Sequence, residues 1–232
     1  MNILSVDTTT RKASVSLKIG NKTVKREIEN NITHSEKLLP LIDSLLNENN
    51  LKLEDINKYL ILNGPGSFTG IRISLATIKA FSQIYKKDIF SISSCEALAF
   101  VGNTLSNKKY ILSLIDAKND RVYFSLYKFE NIDNKISVTP LFDIKNEYLD
   151  DALLIINNYL NENNVDINEV YKISNVHFEN FDNCKVTYPS TNDLIYIFEN
   201  IYNCKNYIFD AFSLNANYAR SSQAERVKNG EC

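Results

Sequence analysis

The chain has 232 residues, enough for one large domain or two small domains with ample core. Its 26 basic and 28 acidic side chains give a formal net charge of -2, which argues against tight, unaided binding of nucleic acid because such binding relies on neutralising phosphates. The sequence shows no basic leader and no long apolar stretch, so we expect a soluble, cytoplasmic protein without a membrane span.

The cysteines give no sign of a metal finger. The four of them show no CxxC spacing, so we expect reduced thiols. They are Cys95, Cys184, Cys204 and Cys232.

The first half of the chain predicts three strands, then alternating helices and strands. The Gly20-Asn21 pair is typical of a hairpin between the second and third strands. The predicted strands are 3–6, 13–19, 23–28, 59–62 and 89–92, and the predicted helices are 35–49, 71–85 and a short one at 95–101.

The second half predicts the same order of elements. The predicted strands are 110–115, 121–129, 136–142, 170–174 and 185–188, and the predicted helices are 147–160 and 193–202. An aspartate follows the first strand of each half, Asp7 and Asp116. This repeat indicates an ancient duplication within an α/β protein, with halves at 1–105 and 106–232, the second including the tail.

A glycine-rich turn, NGPGSFTGIRIS at 63–74, joins a predicted strand to a predicted helix. Gly64, Gly66 and Gly70 bracket it, and Ser67 and Thr69 are candidate helix caps. The free N–H groups at such a helix start suit a phosphate. The turn lacks the Gly-Lys-Ser/Thr ending of a P-loop, so two interpretations stay open: an anion site, or a tight turn in which glycine serves geometry alone.

Asp7 and Asp116 also carry two interpretations. A carboxylate after a strand can order Mg²⁺ through water, or it can cap the turn that follows it. The second is favoured because aspartates after strands are frequent turn formers.

His34 and Glu36 open the helix at 35–49. His34 could act as a general base beside Glu36, but no nucleophile is evident with it. Helix-start chemistry, with Ser35 as the cap and Glu36 against the helix dipole, explains the motif better.

The helix at 71–85 carries two apolar stripes, so it has a second surface to bury, against its own core or a partner. One stripe is Ile71, Leu75, Ile78, Phe81 and Tyr85, and the other is Ile73, Ala76, Ala80 and Ile84.

Several motifs, in this order and spacing, closely resemble the bacterial TsaB (YeaZ) family. They are DTTT at 7–10, HSEKLLPLI at 34–42, GPGSFTGIRI at 64–73, IDAK at 115–118 and YAR at 218–220. The resemblance implies an actin-like ATPase (ASKHA) fold of two duplicated βββαβα-type halves. It also implies a vestigial nucleotide cleft between the halves at Asp7, Gly64, Gly66 and Asp116.

The resemblance further implies a non-catalytic scaffold. Such a subunit pairs with itself and with TsaD, and it activates TsaD, together with TsaE, to modify the tRNA adenosine next to the anticodon. Contact with tRNA is expected only through that complex, without a membrane. The resemblance implies that the chain requires no cofactor of its own and that the partner interface is where ATP or ADP with Mg²⁺ could bind. The residues implied at that interface are His34, Glu36, Leu38, Ile71, Arg72, Leu75, Ile78 and Lys79.

The catalytic chemistry of TsaD depends on two metal-binding histidines, and this chain lacks them. Ser94 and Leu98 stand at the matching places, and the chain has only two histidines in all, His34 and His177. Leucine does not ligate metal and serine is a poor ligand compared with imidazole. We therefore expect no catalytic residue, no metal and no glycoprotease activity. The alternative is a stand-alone ATPase or phosphotransferase of the same fold.

Three arginines bear on contacts with a partner or ligand. Arg121 stands where many family members have glutamate, which puts a contact at that point in doubt. Arg220 and Arg226 in the tail are candidates to meet a partner or RNA, or else belong to a solvated tail.

Overall fold

The computed structural model of the protein describes residues 1–10, 12–29, 34–179, 181 and 183–219, so Arg220 and Arg226 lie outside the described part. Within it the chain forms five α-helices and twelve β-strands. The helices are α1 His34–Glu48, α2 Phe68–Tyr85, α3 Ser94–Ser106, α4 Leu149–Glu162 and α5 Thr191–Asn200. The strands are β1 Asn2–Asp7, β2 Lys12–Ile19, β3 Lys22–Glu29, β4 Lys58–Leu62, β5 Ile89–Ile92, β6 Tyr110–Lys118, β7 Arg121–Ile132, β8 Lys135–Pro140, β9 Lys145–Tyr148, β10 Val170–Ser174, β11 Cys184–Val186 and β12 Ile208–Phe209.

The two sheets repeat one topology. The first has the order β12-β5-β4-β1-β2-β3, and the second has the order β11-β10-β6-β7-β8. In each, the first strand lies between a parallel neighbour and an antiparallel hairpin partner. The predicted duplication of βββα-type halves in an α/β actin-like fold is confirmed by this topology. β12 is an addition, because it returns from the end of the chain to pair with β5.

The layers share a central core. α3 packs on β6, β7 and β10 of the second sheet, whereas α5 packs on β1, β2 and β4 of the first. Buried side chains from both sheets and both helices form one hydrophobic cluster between the sheets. α1 and α2 cover the outer face of the first sheet, and α4 covers the outer face of the second. The helices α3 and α5 therefore tie the two halves together.

Most predicted elements are present, with some bounds corrected. The strands at 89–92 and 170–174 have the predicted ends. α2 begins at Phe68, three residues before the predicted start at Ile71, because Ser67 is its N-cap. α3 continues to Ser106. The prediction of a helix from 147 was wrong at its start, since β9 occupies 145–148 and α4 follows it.

Contacts of Arg121 help to explain why residues 145–148 form a strand and not the start of a helix. Its Nε donates to Asn146 Oδ1 at 2.8 Å, and its Nη2 donates to the Asn146 carbonyl at 2.6 Å. Its guanidinium also lies 4.7 Å from the centre of the Tyr148 ring. Arg121 thus fastens β9 to β7, a contact between residues distant in sequence that local periodicity does not predict.

None of the helices in the described ranges is both long and apolar enough to cross a membrane.

Candidate functional site

A cleft of about 1050 Å³ opens between the two halves, where β1 and β6 end. Both repeat aspartates line it, Asp7 from the first half and Asp116 from the second. Gly66 and Ser67 of the glycine turn and Tyr188 of the second half also line it. The duplication therefore brings together residues that are far apart in the chain.

The two aspartates have equivalent geometry. Asp7 Oδ1 accepts the Thr9 N–H at 2.8 Å and the Thr9 hydroxyl at 2.6 Å. Asp116 Oδ1 accepts the Lys118 N–H at 2.8 Å, and its Oδ2 is paired with the Lys118 ammonium. Each carboxylate thus caps the turn two residues ahead of it. This geometry favours the turn-cap interpretation over a water-bridged Mg²⁺ at both positions.

Tyr188 joins the second half to the end of β1. Its hydroxyl lies 2.7 Å from the Thr9 hydroxyl. Because Thr9 gives its single proton to Asp7, the Tyr188 hydroxyl is the donor in this pair. Burial, and next the charge of Asp7, raise the pKa of Tyr188, so it holds that proton. No sequence pattern marked Tyr188, since a single tyrosine after a short strand carries no periodic signal.

The glycine turn packs against β1. The Ser67 N–H donates to the Thr9 carbonyl at 2.8 Å, and the Thr8 hydroxyl donates to the Gly70 carbonyl at 2.6 Å. A Cβ at Gly70 would lie 1.7 Å from the Thr8 oxygen, and one at Gly66 would lie 2.9 Å from the Thr9 oxygen. Glycine is required at both places by the close approach of two backbones.

Several groups that the sequence offered for a metal-bound phosphate already have hydrogen-bond partners within the chain. The Ser67 N–H is bonded to the Thr9 carbonyl, and Ser67 Oγ accepts the Gly70 N–H at 3.2 Å as the cap of α2. The carboxylates of Asp7 and Asp116 accept hydrogen bonds within their own turns. Each of these three residues thus already has a structural role in a turn of the chain itself.

Gly64 lies outside the lining of the cleft. It has a φ of +106°, and a Cβ there would lie 2.7 Å from the Asn217 carbonyl oxygen. Asn217 also donates its N–H to the Asn63 carbonyl at 2.7 Å. Gly64 thus makes room for the C-terminal segment of the chain.

That segment continues to the start of α2, where it completes an aromatic clamp. We use this name for Phe68, Arg72 and Tyr218. The two rings lie 4.7 Å apart, and the Arg72 Nε donates to the Tyr218 hydroxyl at 2.9 Å. The Arg72 guanidinium also lies 3.9 Å from the centre of the Phe68 ring.

The implied interface residues divide between core and surface. Ile71 and Ile78 on α2 and Leu38 on α1 are each at most 1% exposed, and Leu75 is half-buried against the same core. Glu36 and Arg72 are exposed, and Lys79 is half-buried. The His34 side chain lies outside the described part.

Other apolar residues of α1 and α2 face the solvent. Ala76 and Ala80 are exposed, and Ile84 is 68% exposed. On α1 the neighbour of Leu38, Leu39, is 51% exposed. The second stripe of α2 is thus outward at Ala76, Ala80 and Ile84, whereas its first member, Ile73, packs partly against the core. We name Leu39, Ala76, Ala80 and Ile84 the outer face.

Ser94 and Leu98, which stand at the places of the two histidines, are both fully buried. Leu98 belongs to the central core, and the Ser94 N–H donates to the Gly64 carbonyl at 2.8 Å. Among the described residues, no group of three or more His, Cys, Asp or Glu is placed to hold a metal.

Comparison with known proteins agrees with this fold and these motifs. The family model described as "TsaD: tRNA N6-adenosine threonylcarbamoyltransferase" matches residues 28–212. The tRNA threonylcarbamoyladenosine biosynthesis protein TsaB of Bacillus subtilis is 32% identical over 133 residues, 56% of this chain and 57% of that protein. The TsaB of Haemophilus influenzae is 32% identical over 126 residues, 54% of this chain and 53% of that protein. The match thus spans about half the length of these curated relatives. The TsaB of Buchnera aphidicola subsp. Schizaphis graminum is 28% identical over 203 residues, 83% of this chain and 90% of that protein.

A solved structure shows the same fold. YeaZ from Pseudomonas aeruginosa has a TM-score of 0.70 with 16% sequence identity, covering 94% of this chain and 100% of that one. A second chain, a protein from the same organism described as similar to peptidase YEAZ, has a TM-score of 0.71 with 17% identity, covering 94% of this chain and 99% of its own.

Proposed function

We propose that this chain, which belongs to the TsaB (YeaZ) family, is a non-catalytic subunit that docks with a TsaD-type enzyme and activates it. The reaction would be threonylcarbamoylation of the tRNA adenosine next to the anticodon. Curated relatives are named as tRNA threonylcarbamoyladenosine biosynthesis proteins, and the family model that covers most of this chain describes the transferase itself.

The outer face carries this proposal. Ala76, Ala80 and Ile84 repeat at four-residue spacing along the solvent side of α2, and Ile84 is 68% exposed. Removing such a stripe from water is favourable, and two alanines one turn apart let another helix approach closely. A partner helix packed on α2 would bury this stripe.

The positions of the residues at the candidate catalytic places support a non-catalytic role. Asp7 and Asp116 cap turns, and Ser94 and Leu98 are buried in the central core. On this proposal, the chain acts by holding its partner in the active geometry. Docking of the outer face fixes the geometry of the partner's active site, so that the partner reaches its transition state from a pre-organised cleft.

The rest of the assembly follows from the same proposal. TsaE binds the joined surface of the two subunits, and ATP or ADP with Mg²⁺ belongs to that joint surface, with no cofactor required by this chain alone. Its net charge of -2 leaves tRNA to be held through the complex.

Reconstitution tests the proposal. Purified TsaD and TsaE, the enzyme that forms the threonylcarbamoyl adenylate, ATP, bicarbonate, threonine and tRNA are combined with and without this chain. We expect modified adenosine, measured by mass spectrometry of digested tRNA, to depend on the chain. Equal modification in its absence would show that the proposal is wrong.

A further inference from the structure

We propose that a pocket on the outer side of the second sheet binds a small molecule or chain end that carries a carboxylate on an apolar body, and that Lys172 holds the carboxylate. The pocket has a volume of about 260 Å³ and lies between α4 and β10. It shares no lining residue with the cleft and none with the outer face. The inference is therefore independent of the function proposed above.

The inner part of the pocket is apolar and buried. Leu112 of β6 and Ile156 of α4 are at most 2% exposed, and Phe181 is 6% exposed. Leu153 and Ile167 continue the apolar wall towards the solvent. A short hydrocarbon body that left water for this wall would be stabilised by its burial. Pockets for drug-sized ligands measure about 300–1,000 Å³, so this smaller pocket suits a smaller molecule or a single side chain.

Lys172 stands where the sheet would otherwise carry an apolar side chain. In the register of the sheet it lies between Leu112 of β6 and Cys184 of β11. Side chains two positions apart on a strand face the same side, and Val170, two positions earlier, belongs to the hydrophobic cluster under α4. The half-buried Lys172 thus places an ammonium at the edge of an apolar pocket.

Within the described ranges, the charge of this ammonium is not balanced by a carboxylate. Its Nζ lies 4.9 Å from the centre of the Phe181 ring, a contact with the electron-rich face of the ring, and no described acidic side chain forms an ion pair with it. A cation that is partly removed from water is stabilised by an anion that reaches the same place.

The remaining polar groups of the pocket fit a carboxylate. The exposed side chains of Asn157 and Asn183 also line it, and each amide offers two N–H donors. One ammonium with two neutral amides matches a group with a single negative charge and two acceptor oxygens. The apolar wall then receives the body that carries this group.

Three ligands that share parts of one structure test the site, with isothermal titration calorimetry at low salt. Octanoate has both the chain and the charge, octanol has only the chain, and acetate has only the charge. We expect octanoate to bind with a Kd on the order of 1 mM or below. Octanol and acetate should each bind about fivefold more weakly or worse, because each lacks one of the two contacts.

Variants of the chain assign the two contacts to residues. Lys172→Met keeps the length of the side chain and removes its charge, so it should weaken octanoate about fivefold or more and leave octanol unchanged. Leu153→Trp fills the pocket and should weaken both ligands. Lys185→Met is the matched control, since Lys185 is exposed on β11 and pairs in register with Ile173, which faces the central core on the other side of the sheet. Unchanged circular dichroism would show that each variant is folded.

A carboxylate on an apolar body can come from a free small molecule or from the C-terminus of another polypeptide. A short peptide that ends in leucine, with a free or an amidated C-terminus, separates the two sources. Tighter binding of the free-acid peptide than of octanoate would support the site with a polypeptide end as its ligand. Binding of octanoate without binding of the peptide would support it with a small molecule.

Three results would overturn the proposal. The first is the absence of octanoate binding at millimolar concentration, and the second is equal affinity of the original protein and Lys172→Met for octanoate. The third is octanoate binding that occurs only in Asp182→Asn. Asp182 lies outside the described part, and this result would show that the chain itself neutralises Lys172.

Discussion

Ile78 and Ile84 lie on the same helix in opposite environments: Ile78 is fully buried against the first sheet, whereas Ile84 is 68% exposed. The helix thus shows which of its two apolar stripes a partner can reach. A substitution aimed at the interface through Ile78, or through Ile71, would damage the core instead.

The first prediction follows from that contrast. Ile84→Asp should leave the melting temperature within a few degrees of the original and abolish activation of TsaD in the reconstituted reaction. Ile78→Asp should instead cost about 4 kcal/mol or more of unfolding free energy, since it buries a carboxylate in an apolar core. Thermal melts followed by circular dichroism separate the two.

Leu154→Asp is the matched control for Ile84→Asp. Leu154 is 60% exposed on α4, which covers the second sheet. Its replacement should change neither the melting temperature nor activation. Loss of activation with Leu154→Asp would point to a different docking surface.

A second prediction concerns the glycine turn. Gly70→Ala places a Cβ 1.7 Å from the Thr8 carbonyl oxygen, so either the turn or the end of β1 must move. We expect a loss of about 3 kcal/mol or more in unfolding free energy, measured by urea denaturation. The exposed neighbour Thr69, replaced by alanine, should change stability by less than about 1 kcal/mol. Equal stability of the two variants would contradict the close approach.

A third prediction separates the two interpretations of Asp7. As a turn cap, Asp7→Ala should lose about 1–2 kcal/mol of stability because the Thr9 N–H and hydroxyl lose their acceptor. Asp7→Asn keeps an oxygen there and should lose less. The purified chain should show no Mg²⁺-dependent ATP turnover that Asp7→Ala removes. Such turnover, if found, would support the stand-alone ATPase.

A fourth prediction concerns pH. The Tyr207 hydroxyl donates to Glu96 Oε1 at 2.5 Å, but burial dominates and raises the pKa of Glu96 from 4.5 to about 7. The folded chain therefore keeps a proton that the unfolded chain has released. Stability contributed by that proton is present below pH 4.5 and should fall by about 3 kcal/mol as the pH rises to 7.

Denaturation at a series of pH values measures this slope. Glu96→Gln should flatten it, and Tyr207→Phe should extend the fall to higher pH, with the same onset, because the bond that lowers the pKa of folded Glu96 is gone. The exposed Glu169, replaced by glutamine, is the control and should leave the slope unchanged. An identical slope in Glu96→Gln would assign the pH dependence to other groups.

The sequence predicted much of the local structure. The alternation and apolar runs of the strands are local patterns, so β5 and β10 were bounded correctly and the repeat of the halves was visible. The Asp7 and Asp116 turns were also foreseeable, because an aspartate bonds to the backbone two residues ahead of it.

The hydrophobic pattern of α2 did not show which of its two faces is buried. The inward side contains Ser74 and Ser82, whose hydroxyls bond to backbone carbonyls of the chain, while the outward side contains Ile84. Apolar content therefore did not separate the faces. Only packing on the first sheet identified the outer face.

The sequence by itself determined most of the elements, their order and the family, because these depend on neighbours within a few turns of the chain, but it missed β9 and β12. The tertiary structure decided which residues meet: Thr9 with Tyr188, Gly64 with Asn217, and Arg72 with Tyr218. Each of these pairs joins residues more than 140 positions apart. Such contacts follow from how the two sheets and the returning end of the chain pack, and no local spacing encodes them.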